Sequence, residues 1–122
     1  MAAAAKKILR FLNLWLPPVA VMSAIFYASS LPGRNIPNLF SFQDVFFHGT
    51  IYACLGFFLA RALRKTYTQA GFWKIVLCAL ACGFIYSLTD EFHQRFVPGR
   101  SADMLDVTTD VIGTFIGSLL YR

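Results

Sequence analysis

Long apolar segments alternate with short polar ones along this chain. Four apolar segments, at about residues 11–30, 45–63, 72–89 and 104–121, carry basic residues only close to an end. About 20 apolar residues cross the hydrocarbon core of a bilayer as a helix. The pattern therefore predicts an all-α integral membrane protein with four transmembrane helices, and residues 1–122 forming a single domain.

The first apolar segment is the least regular of the four. Pro17 and Pro18 interrupt it, which predicts a kink or an interfacial helix that turns inward at this point. A cleaved signal peptide is the alternative, because Lys6, Lys7 and Arg10 precede an apolar run that ends in small residues.

Composition and charge agree with a membrane protein and give its orientation. The chain is 57% hydrophobic and only 14% charged, which is outside the range of soluble domains. Its net charge of +5 favours a topology signal over nucleic-acid binding, because the basic residues lie between apolar segments. Eight of them lie on one side of the four spans and three on the other (Arg34, Arg95 and Arg100). Positive charge stays inside, so both termini are predicted to be cytoplasmic and the protein to be a multi-pass protein of the bacterial cytoplasmic membrane.

The polar residues within the spans fall at helical spacing near the outer ends. Residues three, four and seven apart share a helical face. The four resulting stripes are Ser23, Tyr27 and Ser30; Asp44, His48 and Tyr52; Gly83, Ser87, Asp90 and Gln94; and Asp103, Asp106, Asp110, Gly113 and Gly117. The stripes predict that the four helices converge on one polar pocket that opens to the outer surface.

Helix packing is the alternative explanation of these stripes, and it suits the small residues Ser23, Gly83, Ser87, Gly113 and Gly117. It explains the acids less well. A charged group within a span costs about 2.5 to 3.5 kcal/mol on the insertion scale, so such groups usually face a cavity or a partner. Asp106 and Asp110 enter the fourth span, and their available partners are Arg95, Arg100 and His48.

The segment 90–106 carries the densest chemistry. Asp90, Glu91 and His93, together with His48, are candidates for general acid–base catalysis. Arg95 and Arg100 suit a phosphate or carboxylate, and the alternative is an interfacial loop whose arginines neutralise neighbouring acids. No metal is predicted, since His48, His93 and two carboxylates would suit Zn or Mn but show no recognised ligand spacing. The three cysteines are predicted to be small packing residues.

These motifs resemble the VanZ-like family of small membrane proteins, which is named for an accessory factor in teicoplanin resistance. The resemblance covers about residues 31–120. The matching residues are Asp44, His48, Tyr52, Leu55 and Gly56, then Asp90, Glu91, Gln94, Phe96, Pro98, Gly99 and Arg100, and finally Asp103, Asp106, Gly113 and Gly117. Many members of the family carry Asn at the position of Asp110, so the resemblance implies that Asp110 lines the site and does not have a fixed catalytic role.

The resemblance implies a cell-envelope protein that lowers susceptibility to teicoplanin-type glycopeptides. Two functions remain open: binding of an anionic or lipid-linked envelope molecule, and enzymatic acid–base chemistry on a lipid-linked or amphiphilic substrate. The expected partners are a membrane lipid, a lipid-linked cell-wall precursor or a lipoglycopeptide. The candidate ligand-binding residues are Asp44, Tyr52, Gln94, Arg95, Arg100, Asp103, Asp106 and Asp110. A channel is less favoured, because four short helices enclose little volume.

Overall fold

The computed structural model describes residues 1–122 and contains four α-helices and no strand. The helices are α1 (Ala2–Ser30), α2 (Gln43–Thr66), α3 (Phe72–Gln94) and α4 (Met104–Leu120), and a 3₁₀ turn spans Gly33–Asn35. The predicted all-α class is confirmed. α3 continues to Gln94, so that Asp90, Glu91 and Gln94 belong to the helix and not to the loop that follows it.

The distribution of polar and apolar side chains is the reverse of that in a water-soluble protein, as is typical of a membrane protein. Only 27 of its 122 residues are buried, and they include Asp90, Glu91 and Asp110, while large apolar side chains such as Leu77 and Ile85 are exposed. A water-soluble protein keeps unpaired acids at the surface and large apolar side chains in the core. Three helices, α1, α2 and α3, are long and apolar enough to cross a membrane. α4 has 17 residues and is not among these three.

α1 begins at Ala2 and continues through Pro17 and Pro18 without a break, contrary to the predicted interruption. Pro17 has no N–H to donate to the carbonyl of Asn13, four residues earlier. Arg61 of α2 replaces this donor: its Nη1 lies 3.0 Å from the Asn13 carbonyl oxygen, and its Nη2 lies 2.6 Å from Asn13 Oδ1. The carbonyl that proline leaves free therefore binds α1 to α2.

α2 and α4 pack at backbone contact. A Cβ added to Gly113 would overlap the Gly49 carbonyl, and one added to Gly117 would overlap the Ala53 carbonyl. Gly56 faces α4 in the same way, so small residues on both helices allow the approach. α4 also packs on α3, whereas α1 packs on α2 and α3 and does not contact α4.

Two loops meet at the end of the bundle where α1 ends and α4 begins. The Gly33 N–H donates to the Pro98 carbonyl at 3.0 Å. Gly99 has φ of +73°, a conformation that favours glycine, and a Cβ on Gly33 would overlap its backbone. This contact fixes the start of the segment that carries Arg100.

Candidate functional site

A buried histidine–aspartate pair joins α2 to α4. His48 Nδ1 lies 2.8 Å from Asp110 Oδ1, and Ser87 of α3 donates to Asp110 Oδ2 at 2.6 Å. Asp110 has no exposed surface. The contact of Gly49 with Gly113, next to His48 and one turn beyond Asp110, brings the two helices close enough for this bond. Both oxygens of Asp110 are therefore used, and the ring of His48 is fixed in orientation.

The other nitrogen of His48 faces outward. His48 Nε2 lies 3.9 Å from Asp106 Oδ2, and both side chains are 16% exposed. This separation is too long for a hydrogen bond, and the pair is ionic only when His48 is protonated. His48 thus connects a fully buried carboxylate with one that reaches the surface of a cavity.

Two buried carboxylates lie at the end of α3. Glu91 is 6% exposed and accepts a hydrogen bond at Oε2 from the backbone N–H of Asp103 at 2.9 Å. Asp90 is 5% exposed, and its Oδ2 lies 3.5 Å from Gln94 Nε2, which also lies 3.3 Å from Ser29 Oγ. Glu91 Oε1 and Asp90 Oδ1 are buried and have no hydrogen-bond partner. Such atoms are rare in native proteins and often indicate a functional site.

Tyr52 lies one turn beyond His48 along α2. Its side chain is fully buried, and its ring is parallel to that of His48, with ring centroids 6.5 Å apart. The Tyr52 hydroxyl is a third buried polar group without a partner.

His93 and Arg95 have different surroundings. His93 Nε2 lies 3.0 Å from Ser30 Oγ, and the His93 ring stacks on Phe26 at 4.7 Å, so His93 contacts α1. Arg95 is exposed and lines neither of two cavities that lie beside the His48–Asp110 pair. The structure therefore brings neither residue to the His48–Asp110 pair.

The first of these cavities, called the outer cavity below, lies at the end of the bundle where α1 and α3 end and has a volume of about 530 Å³. It is bounded by the loops that follow α1 and α3 and by the starts of α2 and α4. Its predicted ligand-binding residues are Asp44, Gln94, Arg100, Asp103 and Asp106, and it also reaches His48. Asp103 has a second role, since its side chain accepts from the Leu105 N–H as the N-cap of α4.

The second cavity, called the inner cavity below, has a volume of about 410 Å³ and lies between α1 and α2. Apolar side chains line most of it, including Ile25, Phe47 and Ile51. The two cavities are adjacent, because Ile36, Asp44, His48 and Arg100 line both.

Arg100 carries the positive charge closest to this junction, and it forms no ion pair with an acid. The ion pairs in the structure are those of His48 with Asp106 and with Asp110. The proposed neutralisation of the acids by the arginines of this segment is therefore not observed. The half-buried guanidinium of Arg100 remains available at the wall of both cavities.

The polar stripe predicted for α1 is wrong for Ser23 and Tyr27, while Ser30 is half-buried and contacts His93. Tyr27 is 69% exposed and Ser23 is exposed, while Ser29 is buried and bonds to Gln94. The buried face of α1 follows Leu14, Pro18, Ile25 and Ser29, which are also at helical spacing. This face could have been found from its small and apolar residues instead of its hydroxyl groups.

Ser87 is another residue whose part in the site was missed. Ser87 was predicted to be a packing residue. Its predicted position, on the same face of α3 as Asp90 and Gln94, is the observed one. Its partner, Asp110, lies 23 residues away on another helix, so no local pattern shows the bond.

The fold and the buried polar cluster define a helical membrane protein with its acidic residues and histidines gathered at one end of the bundle. The family profile described as VanZ/LLP1 matches residues 11–122, and the chain belongs to this family. The resemblance seen in the sequence is thereby confirmed. Searches of curated proteins and of solved structures found no match.

Proposed function

We propose that the two adjacent cavities bind an anionic, lipid-linked molecule of the cell envelope. The observation that carries this proposal is the position of Arg100, which has no acidic partner and stands where a polar cavity adjoins an apolar one. A guanidinium is suited to phosphate and carboxylate groups. The headgroup binds at Arg100 in the outer cavity, and the start of the lipid chain lies between α1 and α2.

The lining of the inner cavity supports a chain as the second part of the ligand. Ile25, Phe47 and Ile51 offer apolar surface, and Cys54, which is exposed, stands at the same cavity. An amphiphile bound across both cavities buries its chain in apolar surroundings without removing its headgroup from hydrogen-bond donors.

The family gives this binding activity a biological setting. A lipid-linked cell-wall precursor held at this site would be less available to teicoplanin-type glycopeptides, and a bound lipoglycopeptide would be kept from its target. Both fit a role in lowering susceptibility to these drugs, which the VanZ resemblance implies.

The site is proposed to face outward in a four-span topology within the bacterial cytoplasmic membrane. α4 is about 26 Å long at 1.5 Å per residue. This is close to the roughly 30 Å of a bilayer core, and α4 is packed against α2 and α3. The excess of basic residues at the opposite end of the bundle supports cytoplasmic termini.

The topology is testable with fusions at the C-terminus, after Arg122. A fluorescent protein that folds only in the cytoplasm is expected to be bright there, and alkaline phosphatase, which requires an oxidising compartment, is expected to be inactive. The reverse pattern would contradict both the cytoplasmic C-terminus and an outward-facing site.

Arg100→Ala is expected to weaken binding of polyprenyl phosphate to the protein in nanodiscs by about 10- to 100-fold, since a hydrogen bond to a charged group contributes about 1.5 to 3 kcal/mol. Arg34→Ala is the matched control, because Arg34 is an exposed arginine at the same end that lines neither cavity. Titration followed by native mass spectrometry measures both affinities. Equal losses of affinity in the two variants would show that only net charge matters and would reject the assigned role of Arg100.

Cys54→Trp is expected to fill part of the inner cavity and to weaken binding of long-chain polyprenyl phosphate more than that of a short-chain analogue. Cys82→Trp is the control, because Cys82 is also exposed on a span-length helix but lines neither cavity. The ratio of the two affinities, measured in the same nanodiscs, is the decisive quantity. A ratio unchanged by Cys54→Trp would exclude this cavity as the chain site.

An enzyme is the second candidate, and the His48–Asp110–Ser87 network favours it. A general base needs an imidazole held in one orientation by a second group, with its free nitrogen directed to the substrate. His48 meets the first condition through Asp110, and its Nε2 faces the side of Asp106, which lines the outer cavity. Asp90 and Glu91 are the other candidate acids and bases.

The enzymatic candidate predicts turnover that depends on His48. Wild-type protein incubated with an envelope lipid extract would change the mass or amount of one lipid, and His48→Gln, Glu91→Gln or Asp90→Asn would abolish the change in folded protein. Under the binding proposal, mass spectrometry of the lipids shows no change with any of the four proteins. A change that persists at full rate in all three variants would contradict this catalytic assignment.

A further inference from the structure

Three helices each place one potential metal ligand at the same point. His48 of α2, Glu91 of α3 and Asp110 of α4 offer ligand atoms that all lie within 4.8 Å of one another. Nitrogen and oxygen ligands bind zinc-like cations at about 2.0 to 2.2 Å, which separates the ligands of one ion by roughly 3 to 4.4 Å. The three groups are therefore close to the spacing of a common coordination sphere.

Glu91 gives an independent reason to place a cation there. Its exposed fraction is 6%, so it is 94% buried, and its Oε1 has no hydrogen-bond partner. The side chain is directed from α3 toward α4, because Oε2 accepts from the Asp103 N–H. A buried carboxylate oxygen without a donor, next to a second buried carboxylate on Asp110, requires a positive charge or a proton.

The surroundings hold the three groups in place as they do in known metal sites. Ser87 bonds to Oδ2 of Asp110, and the Asp103 N–H bonds to Oε2 of Glu91. The other oxygen of Asp110 lies 2.8 Å from His48 Nδ1, so a cation bound by both groups takes the place of the proton that they share. Outer hydrogen bonds of this kind orient metal ligands and increase their affinity. Asp106 lies 3.9 Å from His48 Nε2 and is the nearest further carboxylate on the side of the outer cavity.

We infer that His48, Glu91 and Asp110 bind one divalent cation of the class that accepts both imidazole and carboxylate, such as Mn²⁺ or Zn²⁺. Sequence spacing gave no sign of this site, because each ligand comes from a different helix. The inference goes beyond lipid binding and does not depend on it. A cation at this point would add positive charge beside the cavity that Arg100 lines.

The test uses the full chain in nanodiscs, stripped with EDTA and titrated with Mn²⁺ alone. Mn²⁺ is chosen because it prefers carboxylates, so that Cys54, Cys78 and Cys82 do not compete for it. Electron paramagnetic resonance is expected to show one bound Mn²⁺ per chain, which Zn²⁺ displaces. Glu91→Gln is expected to weaken this binding by at least about tenfold.

Asp44→Asn is the matched control, since Asp44 is an exposed carboxylate on the same cavity outside the cluster. It removes the same charge as Glu91→Gln. The Mn²⁺ affinity is expected to stay within about twofold of the wild-type value, because an exposed charge contributes little. Absence of stoichiometric Mn²⁺ binding to the wild type, or equal affinities of the wild type and Glu91→Gln, would overturn the site.

A second measurement decides the matter if Glu91→Gln does not fold. Spin-echo spectra of wild-type protein are expected to show coupling of Mn²⁺ to an imidazole nitrogen, and His93→Gln, which leaves His48 in place, is expected to keep it. Bound Mn²⁺ without nitrogen coupling, or coupling lost in His93→Gln, would exclude His48 as a ligand and the inferred site with it.

Failure of this inference and failure of the lipid-binding proposal are distinguishable. Polyprenyl phosphate binding is measured in EDTA, where no cation contributes. Lipid binding in EDTA together with no Mn²⁺ site would reject the inference alone, and a Mn²⁺ site without lipid binding would reject the binding proposal alone.

Discussion

The bond between His48 and Asp110 is the interaction on which the rest of this structure depends. It joins α2 to α4 inside the bundle, where Asp110 has no solvent-exposed surface. An acid in such a place is tolerated only with a partner, because an isolated charge in a low-dielectric interior is costly. The glycines that bring α2 and α4 into backbone contact therefore serve the pair as well as the packing, since a wider spacing would leave both groups without a partner.

This pair also sets how the other polar groups are arranged. With Nδ1 of His48 bound to Asp110, only Nε2 is directed toward Asp106, and α4 thereby presents Asp106 at the outer cavity. α1 takes no part in this contact with α4 and packs on the opposite side of α2 and α3. α2 also packs on α3 and α4, and the link from Arg61 to the carbonyl of Asn13 connects α1 to α2 at the end of the bundle opposite the cavities.

The sequence predicted the helices well and the contacts between them less well. Apolar length is a local property, so α2 and α3 were found with ends close to those observed, and the polar face of α3 was correct as far as Gln94. It is harder to predict which face of a helix packs against the other helices in a membrane, because the face in contact with lipid is as apolar as the buried face. This is why the hydroxyl groups of α1 suggested the wrong face, and why Asp44 and Tyr52, on one stripe, differ so much in burial.

The part of Asp110 could be predicted only in part, because the sequence offers His48 as one of three candidate partners and does not choose among them. Its partner His48 lies 62 residues away, and the bond exists only because two separate small-residue faces meet. The family pattern, with Asn at this position in many members, favoured a lining role, but Asp110 is fully buried and lines neither cavity. An Asn side chain can also bond to an imidazole and to a serine hydroxyl. The position therefore requires a group that holds His48 and Ser87, and a carboxylate there adds a negative charge that the cluster must balance. Since Arg100 forms no ion pair with these acids, that balance falls to His48, to protons or to a bound cation.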